Sequence, residues 1–302
     1  MKAMAGLLEH GLVPLILTAE RSGLLAELDR APGTAQELAA RGGLHPRATA
    51  MVLDALYAVG VCSRTEAGVF ERPSGAERTF PWARLPRFLA TGEVDPQIDG
   101  GARGEGYARV VSMLAQRFEP WAAALAARLA AVDCILDVGA GSGVWSLAMA
   151  TRSPGARVTA LELPEVLPRF FERAATLGLR DRVDGIAASY FEARPEGRFD
   201  RVVLANVLHL ETPADARALV ARAASWLSPE GELVVIDCVG EGEAHEPSRS
   251  LYALHLAMRT ARGAVHAPRD LLAWAREAGL GDGRLVPLRD TGPGLGALVC
   301  RR

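Results

Sequence analysis

The chain has 302 residues, of which 49% are hydrophobic and 23% are charged, so it is long enough to build more than one folded core and does not have a disordered composition. Its 34 basic and 36 acidic residues give a net charge of −2 at pH 7, which provides no electrostatic reason to expect a nucleic-acid partner. No stretch approaches the roughly 20 apolar residues of a membrane helix, and the apolar start of the chain lacks a secretion cleavage site.

The first 90 residues predict a small helical domain. Thr34 and Glu37 have the spacing of a capping box at the start of one helix, and Pro46 opens the next. The second of these helices carries four apolar residues that are predicted to be available to a core: Met51, Leu53, Leu56 and Val59. Residues 61–70 predict a short hairpin. Helix, turn, helix and hairpin together form the pattern of a winged helix, a fold that often binds DNA.

The charge of this region argues against DNA binding. Residues 1–90 carry ten basic and nine acidic residues, a net charge of +1, whereas phosphate binding needs clustered lysine and arginine. We therefore expect residues 1–90 to form a winged-helix dimerisation domain. Residues 72–105 are rich in proline, glycine and arginine and predict the connection between domains, with a linker over residues 91–105 and a second domain over residues 106–302.

A strand, a tight turn and a helix are predicted around Asp137. Residues 134–138 are apolar except for this acid, as in a strand buried on both faces of a parallel sheet. Gly139, Gly141 and Gly143 then allow a sharp turn and a close approach of the backbone to a ligand. Val144 stands where a dinucleotide-binding motif has its last glycine, and the lysine of a phosphate loop is missing, so neither a nicotinamide cofactor nor ATP is favoured.

A second apolar run, residues 158–161, ends in Glu162. An acid at this position can accept hydrogen bonds from two ribose hydroxyls, which suits an adenosyl group without a pyrophosphate. Asp137, the glycine turn and Glu162 resemble the S-adenosylmethionine site of class I methyltransferases; the alternative is a similar fold that binds another adenosyl ligand. We include Leu163, which follows the acid, among the candidate cofactor-binding residues.

The rest of the second domain alternates helices and strands. The pattern predicts helices over 165–177 and 214–227, strands over 183–187, 199–205 and 232–239, and two final strands over 284–302. This order is typical of an α/β fold, a Rossmann-like doubly wound sheet with a C-terminal antiparallel hairpin.

Two loops at the expected ligand edge of the sheet carry further candidates for cofactor binding. Tyr190 follows the third strand and could stack on an adenine ring, while Ser189 could hydrogen-bond the same ring. Phe191 is as well explained as a core residue. Asn206 follows the fourth strand and completes this set.

His209 lies just beyond the end of the fourth strand, beside the expected ligand. Its ordinary pKa of about 6.5 allows a neutral imidazole to accept a proton from a hydroxyl, so it is a candidate general base. Asp237, near the end of the next strand, could hydrogen-bond the imidazole and set its tautomer. The alternatives are a structural histidine and an acid satisfied by backbone amides.

Three residues are weaker candidates for a substrate wall. His255 and Met258 lie on a predicted helix over 248–262, along one face with Leu251 and Leu254; such a face more often packs into a core. Tyr107 could line a pocket or pack as an ordinary aromatic. His255 and His266 lack the spacing of metal ligands, so no metal is expected.

Taken together, these segments resemble the dimeric small-molecule O-methyltransferases, the family of plant phenolic and bacterial antibiotic-tailoring enzymes. The resemblance implies an N-terminal homodimerisation domain and a C-terminal domain that binds S-adenosylmethionine. It places His209 on the catalytic base, Asp237 on a flanking acid and Glu162 on the ribose-binding acid. Where the family has His-Asp-Trp, this chain has His-Leu-Glu at residues 209–211. Ser189 replaces an adenine-binding aspartate, and Val265 replaces a second flanking acid.

The leading hypothesis is therefore an S-adenosylmethionine-dependent O-methyltransferase of a small aromatic or polyketide-like natural product in antibiotic biosynthesis or other secondary metabolism. One alternative keeps the cofactor but uses it for hydroxylation, decarboxylation or pericyclic ring closure, and N- or C-methylation also stays open. Another is a ligand-sensing DNA-binding protein. We expect no nucleic-acid or membrane partner. The cysteines are scattered singly, so reduced core thiols and a cytoplasmic location are expected: Cys62, Cys134, Cys238 and Cys300.

Overall fold

The computed structural model describes residues 14–72, 85–94, 105–239, 246–288 and 294–302, without the side chains of residues 105–110, 112, 113 and 246–248. The chain divides into two compact units, Met1–Gly92 and Glu93–Arg302, which are described separately below. Within the described ranges, no helix is both long enough and apolar enough to cross a membrane.

The first unit combines short helices with a small sheet. Residues 14–21 are helical and are followed by α1 (Leu24–Arg30), α2 (Ala35–Gly42), α3 (Pro46–Ala58) and α4 (Leu85–Thr91). Strands β1 (Gly33–Thr34), β2 (Ser63–Arg64) and β3 (Val69–Glu71) pair antiparallel in the order β1-β3-β2. The β2–β3 pair is the hairpin predicted over residues 61–70.

The predicted capping box starts α2. The amide of Thr34 donates to Oε2 of Glu37 over 2.8 Å, and the amide of Glu37 donates to Oγ1 of Thr34 over 3.3 Å. Two amides that the helix itself leaves without partners are thereby satisfied. Pro46 occupies the first turn of α3, as predicted.

The predicted core face of α3 is wrong at two positions. Leu53 and Leu56 are fully buried with Thr49, but Met51 is 63% exposed and Val59 is 47% exposed. At 100° per residue, positions 49, 53 and 56 share one face of the helix, whereas Met51 points away from it. Val59 follows the last helical residue, so the helical spacing no longer determines its direction.

The second unit is built on a seven-stranded sheet with the order β6-β5-β4-β7-β8-β10-β9. Its strands are β4 (Cys134–Val138), β5 (Arg157–Glu162), β6 (Val183–Ala187), β7 (Phe199–Ala205), β8 (Leu227–Asp237), β9 (Arg284–Pro287) and β10 (Gly296–Arg301). Strands β4 to β8 run parallel, while β10 pairs antiparallel with both β8 and β9. This arrangement confirms the predicted α/β doubly wound sheet with a C-terminal antiparallel hairpin.

Helices cover both faces of the sheet. They are α5 (Glu105–Ala126), α6 (Val144–Arg152), α7 (Leu167–Thr176), α8 (Pro213–Ser225), α9 (Glu246–Ala257) and α10 (Pro268–Glu277). Successive strand residues enter different apolar clusters: Ile135 packs with α6 and α7, and Leu136 packs with α8 and α10. This period-2 alternation explains why the central strands are apolar on both faces. Since β4 to β8 are parallel, their carboxyl ends meet at one edge.

Three further predictions differ from the structure. Strand β8 begins at Leu227 rather than at residue 232. Helix α9 ends at Ala257 rather than at residue 262, because Thr260 Oγ1 accepts the amides of Arg262 and Gly263 and turns the chain out of the helix. Cys134 is exposed at the start of β4, unlike Cys62, Cys238 and Cys300, so the expectation of four core thiols is wrong there.

Candidate active site

The three glycines between β4 and α6 form a turn in which every glycine has a positive φ. The values are +67° at Gly139, +55° at Gly141 and +69° at Gly143. A Cβ atom at Gly139 would lie 2.7 Å from Cγ2 of Val207, and one at Gly143 would lie 2.5 Å from Cδ2 of Phe170. Both the backbone conformation and the close packing therefore require glycine here.

Asp137 is buried at the carboxyl end of β4. Ser146 on α6 donates a hydrogen bond to its Oδ2, but Oδ1 is buried with no hydrogen-bond partner among the described residues. Burial raises the pKa of Asp137 to about 7, the Ser146 hydrogen bond opposes this, and the charge of Glu162 adds to it. A buried carboxylate oxygen without a hydrogen-bond partner is suited to a cationic donor such as an ammonium group.

Glu162 links the end of β5 to the glycine turn. Its Oε2 accepts the amide of Gly141 over 2.7 Å, and its Oε1 accepts the amide of Leu163 over 2.7 Å. These bonds fix the orientation of the carboxylate. Each carboxylate oxygen has two lone pairs, so the group retains the capacity to accept further hydrogen bonds from a ligand.

A pocket opens beside this turn at the carboxyl edge of the sheet. Of the predicted cofactor-binding residues, Gly139, Gly141, Glu162, Tyr190 and Asn206 lie in its wall. The remaining wall is largely apolar or aromatic: Val111, Leu114, Ala115, Phe118, Ala140, Ser142, Val144, Trp145, Ala205, Val207 and Leu210. The structure does not place four other predicted residues in the wall: Asp137, Gly143, Leu163 and Ser189.

Helix α5 contributes a side of the pocket that sequence reasoning did not assign. Val111, Leu114 and Phe118 lie there. Their helical spacing before the glycine turn was a usable signal, because a helix that runs antiparallel to β4 and ends at its amino end starts near the carboxyl edge of the sheet. Tyr107 belongs to this helix, but its side chain lies outside the described residues.

Ser189 and Tyr190 have different surroundings. The Ser189 hydroxyl accepts the amide of Phe191 over 3.3 Å, which is a local turn contact. The Tyr190 hydroxyl donates to Oε1 of Glu211, a buried acid that follows the fourth strand of the unit in chain order. Tyr190 therefore lies in the pocket wall with a fixed ring, whereas the Ser189 hydroxyl is engaged in its own loop.

Asn206 is the residue at which the chain leaves β7. Its φ of +56° makes it the only non-glycine residue with a positive φ among the described residues. Its amide donates to the carbonyl of Ile236 on β8 over 2.8 Å, which holds the left-handed conformation in place. The chain then enters a short 3₁₀ turn, Leu208–Leu210.

His209 lies in that 3₁₀ turn and is buried against Asp237. Its Nδ1 is 2.9 Å from Oδ1 of Asp237, and its amide donates to Oδ2 over 3.3 Å. The amide of Cys238 donates to Oδ1 over 2.8 Å. Burial alone would raise the pKa of Asp237, but the charge and hydrogen bond of His209, the amide hydrogen bond of Cys238 and the charge of His266 together outweigh burial and hold that pKa below its ordinary value. An ionised Asp237 can only accept, so it orients the ring with a proton on Nδ1.

The residues around His209 connect it to the pocket. Val207 and Leu210, on either side of it in the chain, lie in the pocket wall. The hydroxyl of Tyr252 on α9 is 3.1 Å from Nε2 of His209. The apolar pattern of α9 gave no sign of this contact, which depends on how the helix packs.

Two of the weaker candidates, His255 on α9 and Met258 just after it, are not among the described residues of the pocket wall. Burial lowers the pKa of His255 to about 4, with the positive charge of Arg259 acting in the same direction, so this imidazole is neutral near pH 7. Met258 is buried, while Leu251 is 56% exposed, so the predicted stripe on α9 is not continuous. His266 Nε2 lies 2.9 Å from the carbonyl of Leu208. The described part of the chain contains no group of three His, Cys, Asp or Glu side chains that could hold a metal ion.

Comparison with known proteins shows to which family the chain belongs. The tetracenomycin polyketide synthesis 8-O-methyl transferase TcmO of Streptomyces glaucescens is 26% identical over 311 aligned positions, which span 89% of this chain and 88% of TcmO. The solved structure of mitomycin 7-O-methyltransferase MmcR covers 100% of both chains with a TM-score of 0.65 at 22% identity.

A second solved structure is the O-methyltransferase NcsB1 from neocarzinostatin biosynthesis, in complex with S-adenosylmethionine and 2-hydroxy-5-methyl naphthoic acid. It covers 95% of both chains with a TM-score of 0.67 at 21% identity. Identities at this level show that the fold is shared. The model of the O-methyltransferase domain family matches residues 119–281, more than half of the sequence. This chain therefore belongs to the O-methyltransferase family.

Proposed function

We propose that this protein transfers the methyl group of S-adenosylmethionine to a phenolic hydroxyl of an aromatic, polyketide-like natural product, with His209 as the general base. The observation that carries the proposal is the contact between His209 and Asp237 next to the pocket that contains the glycine turn and Glu162. An acceptor hydroxyl bound at this edge of the sheet needs a base nearby, and the oriented imidazole of His209 lies there.

Residues of the pocket wall, together with Asp137 at the carboxyl end of β4, fit the cofactor. Glu162 offers an oriented carboxylate for ribose hydroxyls, and the buried Oδ1 of Asp137 suits the ammonium group of a methionine moiety. The glycine turn leaves room where a Cβ at Gly141 would lie 3.2 Å from Val111. Tyr190 and Phe118 provide ring surfaces in the wall for an adenine. The bound cofactor would supply a methyl group on a sulfonium centre, which an acceptor oxygen can attack.

His209 would act on the acceptor proton. With Asp237 holding the proton on Nδ1, the Nε2 lone pair is the basic position of the ring. The imidazolium formed by proton uptake would be stabilised by the Asp237 carboxylate at 2.9 Å. Base catalysis of this type contributes on the order of 10²- to 10⁴-fold in rate, with the rest supplied by the positioning of the acceptor oxygen and the methyl group.

The acceptor class rests on the relatives. TcmO is named for methylation in tetracenomycin polyketide synthesis, and NcsB1 was solved with a hydroxylated naphthoic acid. The apolar and aromatic lining of this pocket is consistent with a flat aromatic acceptor.

We also propose that residues 1–90 form a winged-helix domain that mediates homodimerisation, with residues 91–105 as a linker to a cofactor-binding domain over residues 106–302. The helices α1 to α3 and the small antiparallel sheet of the first unit support the domain type. The molar mass from light scattering on a size-exclusion column tests the dimer, and a monomer at micromolar concentration would contradict it.

Enzyme assays test the proposed reaction. The protein is incubated with S-adenosylmethionine and 2-hydroxy-5-methylnaphthoic acid, together with a panel of other hydroxylated naphthalenes and tetracyclic polyketides. Mass spectrometry should show a product heavier by one methyl group and formation of S-adenosylhomocysteine. Product without a mass gain, or with an added oxygen, would instead indicate a non-methylating use of the cofactor.

The role of His209 is tested with a matched pair of variants. His209→Asn should lose turnover by about 10²-fold or more while calorimetry shows unchanged affinity for S-adenosylhomocysteine. His45→Asn changes an exposed histidine at the start of α3 and should leave both properties intact. Full turnover in His209→Asn would remove the base role.

A further inference from the structure

The hydroxyl of Tyr252 lies within hydrogen-bonding distance of Nε2, the nitrogen of His209 that is proposed to act as the base. Its hydroxyl oxygen is 3.1 Å from Nε2, and its ring meets the imidazole edge to face with the ring centroids 5.5 Å apart. Its ring also lies near that of His255 on its own helix, at a centroid distance of 6.5 Å. Tyr252 is therefore a packed side chain whose hydroxyl lies directly at the proposed proton acceptor.

The direction of this hydrogen bond follows from the other side of the ring. Asp237 is an ionised acceptor 2.9 Å from Nδ1, so Nδ1 carries the proton of the neutral imidazole. Nε2 then has one lone pair and no proton. The Tyr252 hydroxyl must be the donor, and the chain of bonds runs from Tyr252 through His209 to Asp237.

This chain of bonds restricts how an acceptor can reach the base. A neutral imidazole has a single lone pair at Nε2, so an acceptor hydroxyl cannot bond to it while Tyr252 does. Either Tyr252 leaves, or the proton passes through its oxygen. Departure would break ring contacts with both His209 and His255. His209 is buried and Tyr252 is only partly buried, so the phenol is the more accessible of the two side chains.

We propose that Tyr252 is a catalytic proton relay between the acceptor hydroxyl and His209; this inference rests on the proposed base role of His209. As the acceptor oxygen bonds to the methyl carbon and the carbon–sulfur bond of the sulfonium breaks, the acceptor proton passes to Oη of Tyr252. At the same time the original Tyr252 proton passes to Nε2. The products are the methyl ether, S-adenosylhomocysteine and an imidazolium beside the Asp237 carboxylate.

The energetics suit such a transfer. The tyrosine hydroxyl and a phenolic acceptor have similar ordinary pKa values, about 10 for tyrosine, so the first proton movement is nearly balanced. The second movement, from a phenol to the less basic imidazole, is driven by formation of the C–O bond, which makes the acceptor proton strongly acidic, and the Asp237 carboxylate stabilises the imidazolium that results. The relay also gives the acceptor an oriented hydrogen-bond partner before reaction.

A spectroscopic experiment tests the contact without any acceptor. Protein labelled with ¹⁵N in histidine is studied as the S-adenosylhomocysteine complex, and its Nε2 resonance is compared between wild type and Tyr252→Phe. Loss of the hydroxyl should move the His209 Nε2 signal toward that of a pyridine-type nitrogen without a hydrogen bond, with the Nδ1–H tautomer retained. An unchanged Nε2 signal means that the bond is absent, which overturns the relay.

Kinetics then tests the transfer, with 2-hydroxy-5-methylnaphthoic acid or the best acceptor of the panel as the probe. Tyr252→Phe keeps the ring and its packing, and the relay predicts a loss of kcat of about 10²-fold. In wild type under single-turnover conditions, the rate should depend on the deuterium fraction of the solvent with the curvature of two moving protons. Equal or faster turnover in Tyr252→Phe, or a linear dependence, would show that the acceptor displaces Tyr252 and would overturn the relay.

The same set of variants separates the two proposals. Loss of turnover in His209→Asn with full turnover in Tyr252→Phe would retain the base and remove only the relay. Full turnover in His209→Asn would remove both. Calorimetry with S-adenosylhomocysteine should give unchanged affinity in both variants, which shows that the cofactor site is intact.

Discussion

The hydroxyl of Tyr190 donates a hydrogen bond to the carboxylate of Glu211, so a ring of the pocket wall is held by a buried acid. Oε2 of Glu211 accepts from Nη2 of Arg262 over 3.0 Å, and the same nitrogen lies 2.7 Å from Oδ2 of Asp215. These contacts connect the loops that follow β6, β7 and α9. Glu211 stands where the resemblance implied a tryptophan, and in this chain it joins the Tyr190 ring to an ionic network.

Replacing Glu211 should weaken cofactor binding through Tyr190. Removing one hydrogen bond costs about 0.5–1.5 kcal/mol, so we expect Glu211→Leu and Tyr190→Phe each to lower the affinity for S-adenosylhomocysteine roughly two- to tenfold. Because both changes remove the same contact, the double variant should lose less than the product of the single losses. Calorimetry measures the cycle. Losses that multiply fully would show that the residues act independently, and Glu277→Leu, at a surface ion pair with Arg217, is the control.

Asp137 should make stability depend on pH. Its pKa is raised from 3.8 to about 7 in the folded protein, so between these values the folded state holds a proton that the unfolded chain has lost. Stability contributed by this group is therefore highest at low pH and falls as the pH rises toward 7. Asp137→Asn removes that component, and its stability should gain on wild type as the pH rises from about 4.5 to about 7.5.

Urea denaturation of the cofactor-free protein measures this difference. Asp282→Asn, at an exposed aspartate paired with Arg276, should keep the pH profile of wild type. Parallel profiles for wild type and Asp137→Asn would contradict the raised pKa.

Alanine substitutions at Gly141 and Gly178 distinguish the effect of backbone strain from the effect of lost ligand contact. Their φ values are +55° and +69°, so an alanine at either position costs about 1–2 kcal/mol in the left-handed region. A Cβ at Gly178 meets nothing within 4 Å, whereas one at Gly141 lies 3.2 Å from Val111 in the pocket wall. Both alanine variants should lower the melting temperature, but only Gly141→Ala should lose affinity for S-adenosylhomocysteine. Equal affinity in the two variants would place the cofactor elsewhere.

Removing one partner of the buried ion pair between Arg201 and Glu232 should destabilise the fold strongly, whereas replacing both partners with apolar residues should destabilise it little. Arg201 is 1% exposed, its Nε lies 2.8 Å from Oε1 of Glu232, and its Nη2 donates to the carbonyl of Ala130 over 2.8 Å. Arg201→Met leaves the buried carboxylate of Glu232 with the exposed Arg301, whose Nε lies 3.8 Å from Oε2, as its ion-pair partner, and we expect a loss of up to about 3–5 kcal/mol in the free energy of unfolding. Combining it with Glu232→Leu should recover most of that loss. A double variant as unstable as the single one would show that the charges themselves are needed.

The central sheet and the glycine turn could be predicted because they follow from short-range rules. Parallel strands place their carboxyl ends at one edge, so Asp137, Glu162 and His209 were expected together from their places after apolar runs. The contact between His209 and Asp237 follows from the pairing of β7 with β8.

Other parts of the site depend on packing that no local pattern encodes. Tyr252 reaches His209 across 43 positions of sequence, and its role is invisible in the apolar stripe of α9. The role of Ser189 stays a prediction, since a hydroxyl after a strand can bond to its own loop as readily as to a ligand. Met51 was misplaced because four apolar residues were assigned to one face of α3 that has room for two of them.

The left-handed residue at the end of β7 has a consequence for how this enzyme can change over time. Residues of α5 in the pocket wall, such as Leu114 and Phe118, can be exchanged for apolar side chains of similar volume at a cost usually below about 1.5 kcal/mol. Asn206 cannot be substituted as freely, because its φ of +56° is tolerated mainly by glycine, asparagine and aspartate. Sequence divergence should therefore change the α5 residues of the pocket wall while the junction at the end of β7 stays nearly constant, so new acceptors can be accommodated without rebuilding the turn that carries His209.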